Sequence, residues 1–157
     1  MKRILISVAA MLLSFTALGQ MPNPYGAPIG LESAKKAAAA AAAEAQKNGW
    51  RMAIAITDTA GDLVYLEKMD ATQTGSVMIA LDKARAAAQF KRPTKVFQDV
   101  VASGGGGLRI LGLRGAVPID GGLPIVMDGK IVGAIGVSGA AGDQDAQCSK
   151  AGVDALK

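Results

Sequence analysis

Alanine-rich and amphipathic segments of the chain predict two long helices. The segment LESAKKAAAAAAAEAQK begins at Leu31 and is dominated by alanine, which has the highest helix propensity, and Asn48-Gly49 follows as a stop signal. The segment SVMIALDKARAAAQF repeats apolar residues at three- and four-residue steps, with Ser76 as a candidate N-cap and Pro93 soon after its end. The small side chains of residues 37–43 let the first helix lie close against a sheet.

Apolar runs bounded by turn residues predict strands. Met52–Ile56 and Leu63–Leu66 flank the turn-rich TDTAGD, which is typical of a β-hairpin. The runs LPIVM and KIVGAIGVS are separated only by Asp128-Gly129, a dipeptide that favours a type I′ turn because both central residues need positive φ. Gly133 and Gly136 lie inside the second run, where a missing side chain lets another backbone or a ligand approach. This pattern indicates antiparallel strands rather than a phosphate-binding glycine loop, which joins a parallel strand to a helix.

The remaining segments complete the predicted order of elements. Thr94 can cap a short helix that runs through Val101, after which glycines 104–107 interrupt the chain. A final helix can be capped by Asp143 or Asp145. The order is helix, two strands, two helices, about three strands and a helix, so the predicted fold class is α+β rather than doubly wound α/β.

The N-terminal residues have the pattern of a secretory signal peptide. Lys2 and Arg3 precede the uncharged run Ile4–Gly19, which ends in small residues just before Gln20. We therefore expect residues 1–19 to be cleaved, leaving no stable membrane anchor. The mature protein is expected to be periplasmic or secreted.

The rest of the chain has the length of one domain. Residues 20–30 hold three prolines and predict an extended N-terminal arm, and residues 31–157 are expected to form a single domain. The formal net charge is +4 for the whole sequence, and no cluster of basic residues is interleaved with aromatic residues. We therefore expect no binding to nucleic acid.

The sequence contains no histidine and a single cysteine, Cys148. Cys148 cannot form an internal disulfide, so it is either a buried apolar group or a thiol able to link two chains. Without histidine, a Ser-His or Cys-His nucleophile is impossible. Nothing in the sequence shows a nucleophile activated by a partner residue, so we expect a protein that is not an enzyme.

Four motifs occur in a characteristic order. They are DTAGD from Asp58, KMDAT from Lys68, KARAAAQFKRPT from Lys83 and GGLPIVMDGKIVGAIGVSG from Gly121. Each motif is weak alone, but their order and spacing make the chain resemble the GlcG/HbpS family, which is related to the C-terminal domain of PduO-type proteins. The resemblance extends from about Leu31 to Ala155, nearly the whole predicted mature chain.

The resemblance implies a profilin-like fold with α/β/α layers and a five-stranded antiparallel sheet flanked by helices. It also implies homo-oligomers, either dimers or larger rings. The family pattern has an Arg-Met-Asp-Gly run where this chain has Lys68-Met69-Asp70-Ala71. Lysine keeps the charge but lacks the planar fork that binds a carboxylate through two hydrogen bonds.

The leading functional hypothesis, based on the resemblance, is an exported protein that binds haem or a related tetrapyrrole. Haem needs an apolar slot, cations for its propionates and usually an axial ligand. The candidate cations are Lys68, Lys83, Lys91, Arg109 and Arg114. The available ligand atoms belong to Tyr25, Tyr65, Met69, Met127 and Cys148, of which Tyr25, Met69 and Cys148 are the principal candidates.

Two alternatives remain open. A small organic acid, glycolate-like in size, could bind where the loop Asp120-Gly121-Gly122-Leu123-Pro124 faces Met69, Asp70 and Lys83, because adjacent glycines expose N–H groups and lysine offers a charge. In an enzyme, Asp70 or Asp145 would act as base and Lys83 as acid. The other alternative is a self-assembling accessory or sensor module that uses its sheet edges and flexible arm.

Overall fold

The computed structural model describes residues 21–157, so the predicted signal peptide lies outside the described residues. The helices are α1 (Leu31–Lys47), α2 (Ser76–Phe90), α3 (Thr94–Ala102) and α4 (Gly142–Asp154). The strands are β1 (Ala53–Thr57), β2 (Leu63–Lys68), β3 (Gly122–Met127) and β4 (Lys130–Ser138). A 3-10 segment, Gly105–Gly112, follows α3. Within the described part of the chain, no helix is long and apolar enough to cross a membrane.

The four strands form one antiparallel sheet in the order β2-β1-β4-β3. The central pair is in continuous register, with Ala53 opposite Ser138 and Thr57 opposite Ala134. Five strands were expected, and residues 21–157 supply four. The α+β class is confirmed, and the number of strands is corrected.

Proline explains why the N-terminal arm does not add a strand. Tyr25 makes one isolated parallel bridge to Ile131 of β4, at the end of β4 that β1 does not reach. The Gly26 N–H donates to the Ile131 carbonyl at 2.8 Å, and the Ile131 N–H donates to the Pro24 carbonyl at 2.9 Å. Pro22, Pro24 and Pro28 have no N–H to donate, so a longer ladder cannot form.

One face of the sheet buries large aliphatic side chains under α1 and α4. Ile54 and Ile56 of β1 and Ile135 and Val137 of β4 all belong to this core. Six alanines of α1 are buried against the same core: Ala34, Ala37, Ala38, Ala41, Ala42 and Ala45. The predicted role of the alanine run is thereby confirmed.

The opposite face carries small side chains under α2. Ala53 and Ala55 of β1 pack with Ala80 and Ala84 of α2. A Cβ added at Gly136 of β4 would lie 2.0 Å from the Ala80 carbonyl oxygen, so the α2 backbone rests directly on that strand. Glycine inside the strand therefore serves close packing, as its position predicted. The helices on both faces give three layers, α/β/α.

The Asp128-Gly129 turn is confirmed, and the predicted helix caps are corrected. Asp128 has φ of 48° and Gly129 has φ of 74°, as a type I′ turn requires. Ser76 and Thr94 are the first residues of their helices, and neither makes a side-chain cap.

Helix α4 also begins differently from the expectation. Its N-cap is Ala141, whose N–H donates to the Gln144 side chain. Asp143 and Asp145 lie inside the first turn instead. The side chains of Thr94 and Asp145 have tertiary partners, and these contacts outweigh the local caps.

Gly136→Ala tests the close approach of α2. We expect the free energy of unfolding to fall by about 1 to 3 kcal/mol, because the added methyl group pushes α2 away from the sheet. Denaturant unfolding measures the loss. Gly75→Ala is the matched control, since a Cβ there meets nothing within 4 Å and the backbone is already helical; equal effects of the two substitutions would contradict this packing.

Candidate functional site

Four of the sequence-predicted site residues meet in a buried polar cluster: Lys83, Gly121, Gly122 and Asp145. The Lys83 ammonium donates to Asp145 Oδ2 at 2.7 Å and to the Val137 carbonyl at 3.0 Å. The Lys83 side chain is 1% exposed and that of Asp145 is 3% exposed. The ion pair joins α2 to α4 across 62 residues of sequence.

The two adjacent glycines make room for this ion pair. Gly121 has φ of 115°, and a Cβ there would lie 2.7 Å from Asp145 Cβ and 2.9 Å from Lys83 Nζ. The Gly121 N–H donates to Asp120 Oδ1 at 2.7 Å, and the Gly122 N–H donates to Thr94 Oγ1 at 2.9 Å. Both N–H groups are therefore occupied by acceptors within the protein.

Thr94 and Ser149 complete the cluster, and sequence reasoning missed this role for both. The Ser149 hydroxyl donates to the Gly121 carbonyl at 2.6 Å. Ser149 follows Asp145 by one helical turn, a spacing that places both on one face of α4 and could have indicated a shared environment. We call Lys83, Thr94, Gly121, Gly122, Asp145 and Ser149 the Lys83–Asp145 cluster.

Burial dominates the electrostatics of this cluster. Desolvation raises the pKa of Asp145, while the hydrogen bonds from Lys83 and from the Ala140 N–H oppose that shift. A charge buried without its partner is costly, so the ammonium and the carboxylate stabilise each other. The cluster is closed to solvent and its two charges are paired with each other, so it suits a structural role in holding the layers together.

The other predicted site residues lie elsewhere. Met69 is half-buried, and its sulfur accepts from the Met52 N–H at 3.4 Å. Asp70 is exposed, and Pro124 is buried in β3 opposite Ala134. Arg109 is exposed on the 3-10 segment and donates to the Gly106 carbonyl.

Two of the principal candidate haem ligands are not free to bind iron in this structure, one because of a hydrogen bond and the other because of burial. The Tyr25 hydroxyl donates to the Ala88 carbonyl at 2.7 Å, and burial raises the pKa of this phenol. Cys148 is completely buried, and desolvation raises the pKa of its thiol to about 12. Coordination by Cys148 would require the core to open.

A cavity of about 340 Å³ lies between the N-terminal arm, the start of α1 and the β3–β4 hairpin. Its lining combines apolar residues with Met127 and with two residues of opposite charge, Asp128 and Lys130. The lining residues are Gly26, Ala27, Pro28, Ile29, Gly30, Ser33, Met127, Asp128, Lys130 and Val132. We call this the arm cavity.

A second cavity, about 300 Å³, lies on the 3-10 segment. Arg109, Ile110, Gly112 and Leu113 line it. All four residues come from one short stretch of chain, so this cavity is an open depression rather than a cleft between elements.

The described part of the chain is thus a mixed α+β domain with a four-stranded antiparallel sheet between helices, a buried ion pair and open surface cavities. The chain belongs to the HbpS-like family, because the family model described as "Haem degrading protein HbpS-like" matches residues 29–154. Protein GlcG of Escherichia coli K12 is 40% identical over 100 residues, which cover 64% of this chain and 73% of GlcG.

Solved structures agree with this assignment. The crystal structure of HbpS has a TM-score of 0.76 and 31% identity, covering 84% of this chain and 92% of that one. The crystal structure of a PduOC:haem complex has a TM-score of 0.74 and 26% identity, covering 83% of this chain and 96% of that one. The resemblance expected from the motifs is confirmed.

Removing one partner of the buried ion pair tests its structural role. We expect Lys83→Met or Asp145→Leu to lower the free energy of unfolding by about 3 to 5 kcal/mol, because each leaves an uncompensated buried charge. The double variant should lose less than the sum of the two. Denaturant unfolding measures the free energies of this double-mutant cycle, with Lys95→Met in the exposed Lys95–Asp99 pair as the control. Strictly additive losses would refute the coupling between Lys83 and Asp145.

Cys148 should be chemically inert in the folded protein. With a thiol pKa of about 12 and no exposure, almost no thiolate is available near neutral pH. We expect no reaction with a disulfide reagent such as DTNB before denaturant is added, and one thiol per chain afterwards. Rapid reaction of the native protein, or a disulfide-linked dimer on a non-reducing gel, would show that the site opens.

Proposed function

We propose that this protein binds haem or a related tetrapyrrole without catalysis, and that the arm cavity holds it. The family model carries the description of a haem-degrading protein, and PduOC, a structural relative, was solved as a haem complex. These comparisons support the ligand class. The observation that carries the choice of site is the combination of apolar walls, a soft sulfur donor and a cation in one cavity.

The arm cavity fits the chemistry of haem. Ile29 and Val132 supply apolar contacts for the macrocycle, and Lys130 supplies a cation for a propionate. The α1 N-terminus lies at the same cavity, and Gly30 at the N-cap leaves its N–H groups without a side-chain cap. Such N–H groups also favour a carboxylate.

Met127 is the best-placed candidate for axial ligation. Met127 and Met69 both pack partly on the core, but Met127 also lines the arm cavity, whereas the Met69 sulfur accepts from the Met52 N–H. Cys148 is completely buried. A thioether is an established haem ligand in proteins and is available in a chain without histidine. Bound haem supplies a redox-active iron, and this chain's residues hold the macrocycle and its propionates.

The proposal includes an extracytoplasmic location and a homo-oligomer. The predicted signal peptide supports export to the periplasm or beyond the cell. The small-acid alternative at Gly121-Gly122 has less support, because both N–H groups have protein acceptors and Lys83 is paired with Asp145.

A haemin titration followed by absorption tests this function. For the chain from Gln20, we expect a saturable Soret shift at about one haem per chain. Met127→Leu should change the Soret position, because it removes the proposed ligand. Lys130→Gln should weaken binding roughly two- to fivefold, the scale of one exposed ion pair.

Matched substitutions control for nonspecific uptake. Met78 is 57% exposed and lies outside the arm cavity, so Met78→Leu should leave the spectrum unchanged. Arg109→Gln removes a cation elsewhere and should leave the affinity unchanged. A titration without saturation would refute haem binding. A spectral change in Tyr25→Phe or Met69→Leu, rather than in Met127→Leu, would assign the haem ligand to that residue instead. A Soret band that decays with release of iron would indicate degradation rather than binding.

A further inference from the structure

The positive charge of the chain is concentrated around α3 and the 3-10 segment. Residues 91–119 contain five basic residues and one acidic residue, although the whole chain has a net charge of only +4. The acidic residue, Asp99, pairs with Lys95 at 2.7 Å. Arg109 and Arg114 are both exposed. Neither makes an ion pair within the described chain.

Large apolar side chains are exposed beside these arginines. Leu108 is 50% exposed, Leu111 is 64% exposed and Leu113 is 42% exposed. An isolated exposed leucine is ordinary, whereas three within six residues form a patch. We call Leu108, Arg109, Leu111, Leu113 and Arg114 the leucine–arginine surface.

The two ends of this surface lie against the body of the protein. A Cβ at Gly107 would lie 2.0 Å from the Val100 carbonyl oxygen, so the segment rests on the α3 backbone. At the other end, Gly115 lies against the Phe90 ring, where an added Cβ would be 3.7 Å away. The leucines are thus presented outward on a supported segment.

We propose that the leucine–arginine surface docks the protein on an anionic lipid bilayer. The leucines enter the boundary between headgroups and acyl chains, and Arg109 and Arg114 contact lipid phosphates. Binding of this kind is peripheral, which agrees with the lack of a membrane-spanning helix in residues 21–157. The inference does not depend on haem, because the arm cavity shares no residue with this surface.

The charges favour a bilayer over the other possible occupants. In a two-fold dimer built on this patch, the same five residues of both copies come together, and none of them is acidic, so Arg109 and Arg114 would have no opposite charge within the contact. An amphipathic peptide helix needs a groove, whereas the depression here is lined by four residues of one segment. A bilayer supplies apolar depth and negative charge without requiring a groove.

Vesicle sedimentation tests the proposal with the chain from Gln20, which retains every described element. We expect binding to phosphatidylcholine vesicles that contain phosphatidylglycerol and none to phosphatidylcholine alone. Arg109→Gln with Arg114→Gln should weaken binding roughly 25-fold, at about fivefold for each charge near an anionic surface. Leu111→Ser should also weaken binding, because it removes the most exposed apolar side chain of the surface.

Each variant has a control of the same chemistry on another part of the molecule. Lys36→Gln with Lys47→Gln removes two exposed charges from α1, and Leu31→Ser removes a leucine that is 48% exposed. These controls should bind as the unaltered protein does. Equal binding of the arginine variant and the lysine control would overturn the proposal. Self-association of the protein in the absence of vesicles would also overturn the proposal if Leu111→Ser abolished it, because the surface would then join two copies of the chain.

Discussion

The buried ion pair between Lys83 and Asp145 constrains the rest of this structure. An ammonium and a carboxylate removed from water are tolerated only when their geometry is good and their remaining hydrogen-bonding capacity is used. Lys83 therefore also donates to the Val137 carbonyl, and Asp145 also accepts from the Ala140 N–H. Helices from two layers and the central strand β4 must hold these positions together.

The buried ion pair requires small residues around it, so that the helices and the sheet can pack closely. Helix α2 carries Lys83 and must lie close to the sheet for the ammonium to reach α4. Gly136 lets the α2 backbone rest on β4, and Gly121 leaves space where a side chain would strike the ion pair. The glycine-rich motif serves backbone packing, and the proposed ligand site lies at another surface.

Those surfaces are separate from the ion pair and from each other. The arm cavity is formed by the N-terminal arm, α1 and the β3–β4 hairpin, whereas the leucine–arginine surface belongs to the segment after α3. The arm cavity combines the arm with residues of α1, β3 and β4, whereas the leucine–arginine surface belongs to a segment outside the helix and sheet layers. The core therefore fixes two independent surfaces, one proposed to bind haem and the other proposed to contact a membrane.

Several local features of the structure could be predicted from the sequence. Alanine propensity determined α1, the Asp128-Gly129 dipeptide determined the turn between β3 and β4, and four ordered motifs indicated the family. Prolines in the arm prevented a fifth strand. The sequence by itself did not reveal that Thr94 binds the Gly122 N–H or that Lys83 binds Asp145. Those partners lie 28 and 62 residues apart, and only the packing of three layers brings them within hydrogen-bonding distance.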